Sequence, residues 1–410
     1  MKGDIHNYKH KLELSLARLE NSTICKKNKK LIFEFHSNCL VEGLSIARAE
    51  RYVFLLKQMA EILKKEFGKA GKEDIVRIIQ EIEKKGYTEW TKQFYRVALK
   101  KFFTWLRQTK ECPEEVAWLK SSVKNGNHKL PEELLTQEDV KKLIESADYC
   151  RDKAMISMLY ETGSRVGEIA SICMKNISFD KHGAQIIVDG KTGMRRVRIL
   201  NSVPYLSAWL AEHPFRENPD APLWTNMNTN SCEMIEYRAI SQVLKRSALK
   251  AGIKKRVNPH AFRHARATHL ANHLTEAQMK QYFGWVQSSD MASVYVHLSG
   301  RDVDNALLKM NGIEVDEEEE KRNGNIVLKP IKCVRCENEN PATNKFCQRC
   351  GMALDLRVVM ESEEERSKAD ETMNEIMKIP GAKEFFEQAL KELRSPQASG
   401  PAVKAGDIHG

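Results

Sequence analysis

Four cysteines are packed into one short stretch, as Cys333-Val-Arg-Cys336 and Cys347-Gln-Arg-Cys350-Gly351 with ten residues between the pairs. Knuckles of this spacing let four thiolates close tetrahedrally on one zinc ion. Four sulfurs leave no open position for chemistry at the metal, so the zinc is structural. So short a segment has too little core to fold unaided, and metal binding supplies its folding energy. Two redox-active dithiol pairs are the weaker alternative. The other six cysteines (Cys25, Cys39, Cys112, Cys150, Cys173 and Cys232) are scattered, which fits reduced thiols better than a disulfide framework. The cluster therefore partitions the chain, and what precedes it must build its own core.

That preceding part divides again. Residues 31–124 are helical in period. Ser45 is placed to cap a helix carrying Tyr52, Leu55, Leu56, Met59 and Leu63, and residues 74–82 form a second helix ending near Gly86. A third shows Trp90, Phe94, Ala98, Phe102 and Trp105 on an expected core face, opposite Lys92, Arg96, Lys100 and Lys101. Residues 1–30 read as a separate basic segment, either an arm or a solvated helix. Asn125-Gly126-Asn127 opens a linker over 125–135. Thr136 and Asp139 form a capping box, stapled by Leu135 and Val140, that begins a mixed domain over 136–312. Within it, residues 185–188 and 197–200 read as strands joined by a tight loop containing Asp189-Gly190. An acidic linker (313–329), the cysteine module (330–354) and a helical, then disordered, tail (355–410) complete the chain. The expected fold is thus multidomain and mainly α, with a mixed α+β domain holding a small antiparallel sheet.

The formal net charge is +10, and a basic surplus suits a polyanionic partner, because Lys and Arg gain affinity by releasing counterions from phosphates. No apolar run approaches the ~20 residues needed to cross a bilayer, and Met1-Lys2-Gly3-Asp4 lacks a secretory leader's apolar stretch. The expected setting is the cytoplasm, with no membrane partner.

One constellation in the mixed domain carries chemistry. Thr162-Gly163-Ser164-Arg165 turns into a helix that presents Arg165 at its start, with Glu168 three residues on to orient the guanidinium. Lys191 sits at a hairpin, in Gly190-Lys191-Thr192-Gly193. His260-Ala-Phe-Arg263 places a histidine and an arginine one helical turn apart. Gly284-Trp285 follows, and Tyr295 comes ten residues after Trp285. Each piece is commonplace by itself: Arg-x-x-Glu is usually a surface ion pair, and a tyrosine near a helix start usually packs. Together they supply cations for a phosphate, a proton donor and a nucleophile.

In this order and spacing, residues 161–297 resemble the catalytic domain of the tyrosine recombinases, integrases and Xer proteins among them. Ala267-Thr268-His269-Leu270 resembles the family pattern as well, and the helical stretch before it resembles the family's core-binding domain. The resemblance implies that Arg165 and Arg263 clamp a scissile phosphate and Tyr295 forms a 3′-phosphotyrosine. It further implies that Lys191 protonates the leaving 5′-oxygen and that His260 acts as general base or as hydrogen-bond donor. Trp285 stands where histidine is commoner, and its indole N–H can still donate to a phosphate oxygen. Neither ATP nor a catalytic cofactor is implied. Implied partners are double-stranded DNA at specific attachment sites and further copies of the chain, in a tetrameric synapse. A helix over 301–310 would dock on its own domain or on a neighbouring copy.

The favoured function is a site-specific integrase of a virus, plasmid or other mobile element, since a minimal resolvase needs neither ribbon nor tail. A dimer resolvase of Xer type is the alternative within the class. A non-catalytic DNA-binding architectural or regulatory protein is the alternative outside it, and the intact set of site residues argues against that. A type IB topoisomerase shares the chemistry but lacks the separate helical domain and Xer-like spacing.

Overall fold

The computed structural model describes residues 4–122, 133–226, 232–271, 273–298, 310 and 327–386. It is mainly helical with two small antiparallel sheets. By its contacts the chain forms two units, Met1–Leu328 and Lys329–Gly410.

The first unit begins with a helical bundle: α1 (Tyr8–Glu20), α2 (Lys26–Val41), α3 (Ile46–Leu63), α4 (Lys72–Lys84), α5 (Glu89–Leu106) and the single turn α6 (Glu114–Ala117). The period expected for α3 holds, with Tyr52, Leu55, Leu56, Met59 and Leu63 all buried. Ser45 does precede α3, but its side chain makes no capping bond. The aromatic stripe of α5 needs correcting. Phe102 is buried and meets Phe35 edge-on at 5.2 Å, whereas Trp90 and Phe94 are exposed and Tyr95, Leu99 and Phe103 are buried instead. Lys92 and Arg96 on that helix pair with Glu83, and Lys101 with Glu42. Pairs of this kind, each with one partner open to solvent, contribute little to stability.

Residues 4–30 are not a separate arm. Leu19 and Ile24 lie in the bundle core, Ser15 Oγ donates to Glu50 at 2.9 Å, and Asn28 bridges the Lys65 carbonyl and the Phe67 N–H at 2.8 Å each. Leu12, Leu16 and Leu19 at helical spacing carried that signal, beneath a lysine count that drew attention to charge. Further back, Ile5 is buried in the other core of this unit, and its carbonyl accepts from Tyr237 N at 2.9 Å.

That second core is organised by α7 (Gln137–Glu145), α8 (Cys150–Thr162) and the short α9 (Val166–Ala170). The capping box forms as expected: Thr136 Oγ1 accepts from Asp139 N at 3.1 Å, and Asp139 accepts from Thr136 N at 3.0 Å. Leu135 and Val140 are both buried beside it. Helix α8 is buried all round, with only Cys150 and Lys153 outside that class. Next come β1 (Ile177–Asp180), β2 (Gly183–Gly190) and β3 (Gly193–Ile199), an antiparallel sheet in sequence order. Asp189 pairs with Met194 and Gly190 with Gly193, so Asp189-Gly190 ends the strand and the turn is Lys191-Thr192. The bend is taken by Gly193, at φ +104, a conformation L side chains resist. Helices α10 (Val203–Glu212), α11 (Tyr237–Lys250), α12 (Pro259–Ala271), α13 (Glu276–Phe283) and α14 (Met291–Leu298) complete this unit's described part.

The second unit contains β4 (Ile331–Lys332) paired with β5 (Glu339–Asn340), and α15 (Leu356–Ile376). The expected helix over 301–310 lies outside the described residues apart from Met310, as do residues 387–410. Among the described residues no helix is long and apolar enough to cross a membrane.

Glu161, at the end of α8, ties the sheet to the helices. Its buried carboxylate accepts from the backbone N–H groups of Leu200, Asn201 and Ser202 at 2.7, 2.9 and 2.6 Å. Glu161→Ala strands three donors, and the expected loss is about 2–4 kcal/mol in urea unfolding. A loss below about 1 kcal/mol would contradict this role.

Candidate active site

Helix α8 ends at Thr162 and the chain reverses through Gly163, at φ +54. A Cβ there would lie 2.5 Å from the Phe283 ring, so the turn needs glycine for both conformation and space. Arg165 then caps α9: its N–H donates to Glu168 Oε2 at 3.0 Å, and its Nη1 donates to Glu168 Oε1 at 2.8 Å. The carboxylate is 3% exposed while the guanidinium side chain is 34% exposed, so the buried partner steers a cation that still reaches solvent.

A second arginine, which sequence reasoning missed, shares that carboxylate. Arg195 Nη2 donates to Glu168 Oε2 at 2.7 Å and to Ser164 Oγ at 3.3 Å, and its Nε donates to the Tyr282 carbonyl at 2.9 Å. Its Nη1 is buried with no acceptor. The signal was available, because Arg195 shares strand parity with the buried Val197 and Ile199, and a charged residue on the inward face of a strand requires a partner. Burial pushes the Glu168 carboxyl up, but Arg195 and Arg165 outweigh it and hold the group below the usual carboxylate range.

Arg263 on α12 is 7% exposed. Its Nη1 donates to the Gly163 carbonyl at 3.0 Å and its Nη2 to the Phe283 carbonyl at 2.8 Å. The guanidinium lies 5.2 Å from the Phe283 ring centroid and 5.5 Å from that of Trp285. Burial pulls its pKa down to about 10, with the Arg165 charge acting the same way, so it remains a cation at neutral pH. Three guanidinium groups therefore gather around one carboxylate.

Tyr295 on α14 is 3% exposed. It lies parallel to Trp285, with centroids 5.6 Å apart and planes 1° from parallel. Its hydroxyl is 2.5 Å from Nδ1 of His264, a residue the sequence reading did not single out. Burial pushes the hydroxyl up to about 12, against the pull of Arg263.

Arg165, Glu168, Arg263, Trp285 and Tyr295 are thus brought together. Lys191 is exposed at the tip of the β2–β3 hairpin, and that tip is tied to the same centre by Thr192 Oγ1 donating to the Gly284 carbonyl at 3.1 Å. His260 is exposed in the first turn of α12 while Arg263 is buried, so the two do not share one environment.

In the second unit, the sulfurs of Cys333, Cys336, Cys347 and Cys350 all lie within 4.8 Å of one another. Cys333 and Cys350 are 3.6 Å apart and Cys336 and Cys347 3.5 Å, close to the ~3.8 Å sulfur spacing of a tetrahedral zinc site with bonds of about 2.3 Å. Asn340 is fully buried and its Nδ2 donates to Cys347 Sγ at 3.6 Å, the kind of outer contact that orients a ligand. The donor set fits structural zinc.

Much of the chain is similar to known proteins. Residues 133–301 match the phage integrase family. The chain is 28% identical over 294 residues to the tyrosine recombinase XerA of Pyrococcus furiosus, spanning 70% of this chain and 95% of that protein. Among solved structures it resembles the XerH site-specific recombinase bound to its difH substrate, with TM-score 0.52, 18% identity, and coverage of 77% of this chain and 98% of that one. It also resembles a lambda integrase dimer bound to a COC′ core site, with TM-score 0.53, 16% identity, and coverage of 72% and 83%. The two structures share its fold.

The depressed carboxyl of Glu168 has a pH consequence. A folded-state pKa below the ordinary 4.5 means its stabilisation is complete above about pH 4.5 and disappears as pH falls through the folded value. Urea unfolding at stepped pH should therefore show wild-type stability falling more steeply below pH 4.5 than that of Glu168→Gln. Parallel acid limbs would rule this out.

Proposed function

The chain belongs to the phage integrase family of tyrosine recombinases, and from that premise we propose how its own residues cut and rejoin DNA. It is a site-specific recombinase. The observation that carries the detailed reading is the gathering of Arg165, Arg195 and Arg263 around a single carboxylate beside a buried tyrosine. Three guanidinium groups around one carboxylate leave an excess of positive charge, which suits a phosphodiester, whose charge grows on its non-bridging oxygens during transfer.

In this reading Arg165 and Arg263 hold the scissile phosphate, and Glu168 with Arg195 positions Arg165. Tyr295 Oη attacks phosphorus, the bond to the 5′-oxygen breaks, and a 3′-phosphotyrosine forms. Lys191, carried to the site by the hairpin tip, gives its proton to the leaving 5′-oxygen. His260 and the Trp285 indole donate hydrogen bonds to the phosphate oxygens. Attack by a 5′-hydroxyl on the phosphotyrosine reverses the step and joins strands. The phosphoryl bond is exchanged rather than hydrolysed, so the cycle needs neither ATP nor a catalytic metal.

The parts are assigned accordingly. The helical bundle, with α1 included and so beginning before residue 31, forms the core-binding domain that holds double-stranded DNA opposite the catalytic domain, 136–312. Four copies assemble a synapse on two duplexes, in the cytoplasm. Cys333, Cys336, Cys347 and Cys350 hold a structural zinc in a ribbon over 330–354. The ribbon and tail favour an integrase of a mobile element or virus. The likeness to XerA along 95% of that protein favours a second reading, resolution of replicon dimers. Recombination between two unlike attachment sites would support the first, and recombination only between identical sites the second.

Incubation of a nicked suicide substrate in EDTA should give a covalent protein–DNA band with wild type, and none with Tyr295→Phe. A band from both proteins would overturn the assignment of the nucleophile. Separately, metal analysis should find one zinc per chain, and Cys350→Ser should lose it while the melting of the first unit is unchanged. A variant that retains the full zinc content would contradict the four-thiolate site.

A further inference from the structure

The histidine that touches Tyr295 is not the one the His-x-x-Arg motif supplies. His264 follows Arg263 on α12, and successive helical residues point roughly 100° apart. The turn that sinks the guanidinium toward Phe283 thus aims the next side chain at α14. Its Nδ1 lies 2.5 Å from Tyr295 Oη, with the ring centroids 5.8 Å apart and the planes tilted by 43°. Among the described contacts of Tyr295, His264 is the one that offers a base. Trp285 presents its flat face to the phenol, and Arg263, the charge acting on it, is a cation that cannot take a proton. A phenol buried to this degree resists ionisation, so its proton needs an acceptor within hydrogen-bond reach.

We propose that His264 is a further catalytic residue, whose unprotonated Nδ1 accepts the Tyr295 hydroxyl proton as the phenol oxygen attacks phosphorus. The inference rests on Tyr295 being the nucleophile. During cleavage the proton passes from Tyr295 Oη to His264 Nδ1 as the oxygen–phosphorus bond forms. The phosphorus–5′-oxygen bond breaks, and the 5′-oxygen takes its proton from Lys191. During rejoining the 5′-hydroxyl returns a proton to Lys191 and attacks the phosphotyrosine, and the departing phenol oxygen recovers its proton from His264. The complete cycle consumes no proton.

The test is single-turnover cleavage of a nicked attachment-site duplex by the full chain. Wild type is compared with His264→Asn, whose carboxamide oxygen can accept the hydrogen bond but cannot hold the proton. Each is also prepared with a fluorinated tyrosine, a more acidic phenol, at position 295. His264→Asn should bind DNA as wild type does and cleave about 10²–10⁴-fold more slowly, the usual worth of a positioned base. Fluorotyrosine should recover roughly tenfold or more of that loss, because an acidic phenol has less need of a base. A variant as fast as wild type would make the contact merely positional, and a faster one would make it a bond that restrains the tyrosine. A slow variant that fluorotyrosine does not recover would reduce the contact to packing. Any of these overturns the proposal. If His264→Asn does not fold, fluorotyrosine in the wild type decides: a change under about threefold supports assisted proton removal, and a gain of about tenfold or more opposes it. Tyr295→Phe runs alongside, and a covalent band from it would remove the nucleophile assignment itself, whatever the histidine does.

Discussion

A buried carboxylate held between two guanidinium groups is the interaction on which the rest of the centre depends. Glu168 reaches Arg165 through one oxygen and Arg195 through the other. Taking such charges out of water costs several kcal/mol per ion, and the pairing offsets that cost only when the geometry is good. What it secures here is position. Arg165 is fixed at the mouth of a helix, and β3 is fixed to the turn before that helix through Ser164. The same arginine holds the Tyr282 carbonyl, one residue before the Phe283 carbonyl that receives Arg263. Four separate stretches of chain are thereby locked around one charge.

The close fit extends to the backbone. Gly284 sits at φ +60, and a Cβ there would come within 2.9 Å of Arg195 Nη1. A side chain at that position would push against the guanidinium that carries the network. The Gly284 carbonyl also receives Thr192 from the hairpin turn, so the path of the chain into Trp285 is registered against the loop bearing Lys191. On the other side, Trp285 stacks between Phe283 and Tyr295. The nucleophile is thus oriented by an aromatic stack whose first ring packs against Arg263.

Much of this was legible in the sequence because its determinants are local. The Thr136–Asp139 box and the period of α3 need only neighbouring residues, and the Thr-Gly-Ser-Arg turn announces its own glycine. The order of Arg165, Lys191, Arg263, Trp285 and Tyr295 marked the site. What escaped depends on tertiary contacts. Trp90 and Phe94 continue the period of α5 beyond the edge of the core it packs on, so periodicity alone placed them inside. Residues 1–30 read as a basic arm or a solvated helix because charge outnumbers the leucines that bury α1. Arg195 shares parity with Val197 and Ile199 but lies two residues before the strand as read over 197–200, so it was left in the loop, whereas the strand begins at Gly193. His264 carries no periodic signal at all, and its place against the tyrosine is set by the packing of α14 on α12.

The central claim is that Tyr295 bonds to phosphorus, and locating the attached nucleotide tests it most directly. After cleavage and nuclease trimming, tryptic digestion leaves one peptide, residues 281–301, that contains both Tyr282 and Tyr295, so fragment sequencing must assign the adduct. Tyr282 already donates its hydroxyl to the Glu161 carbonyl at 2.7 Å. The account expects a 3′-nucleotide adduct on Tyr295. An adduct on Tyr282 or on any residue outside that peptide would contradict it.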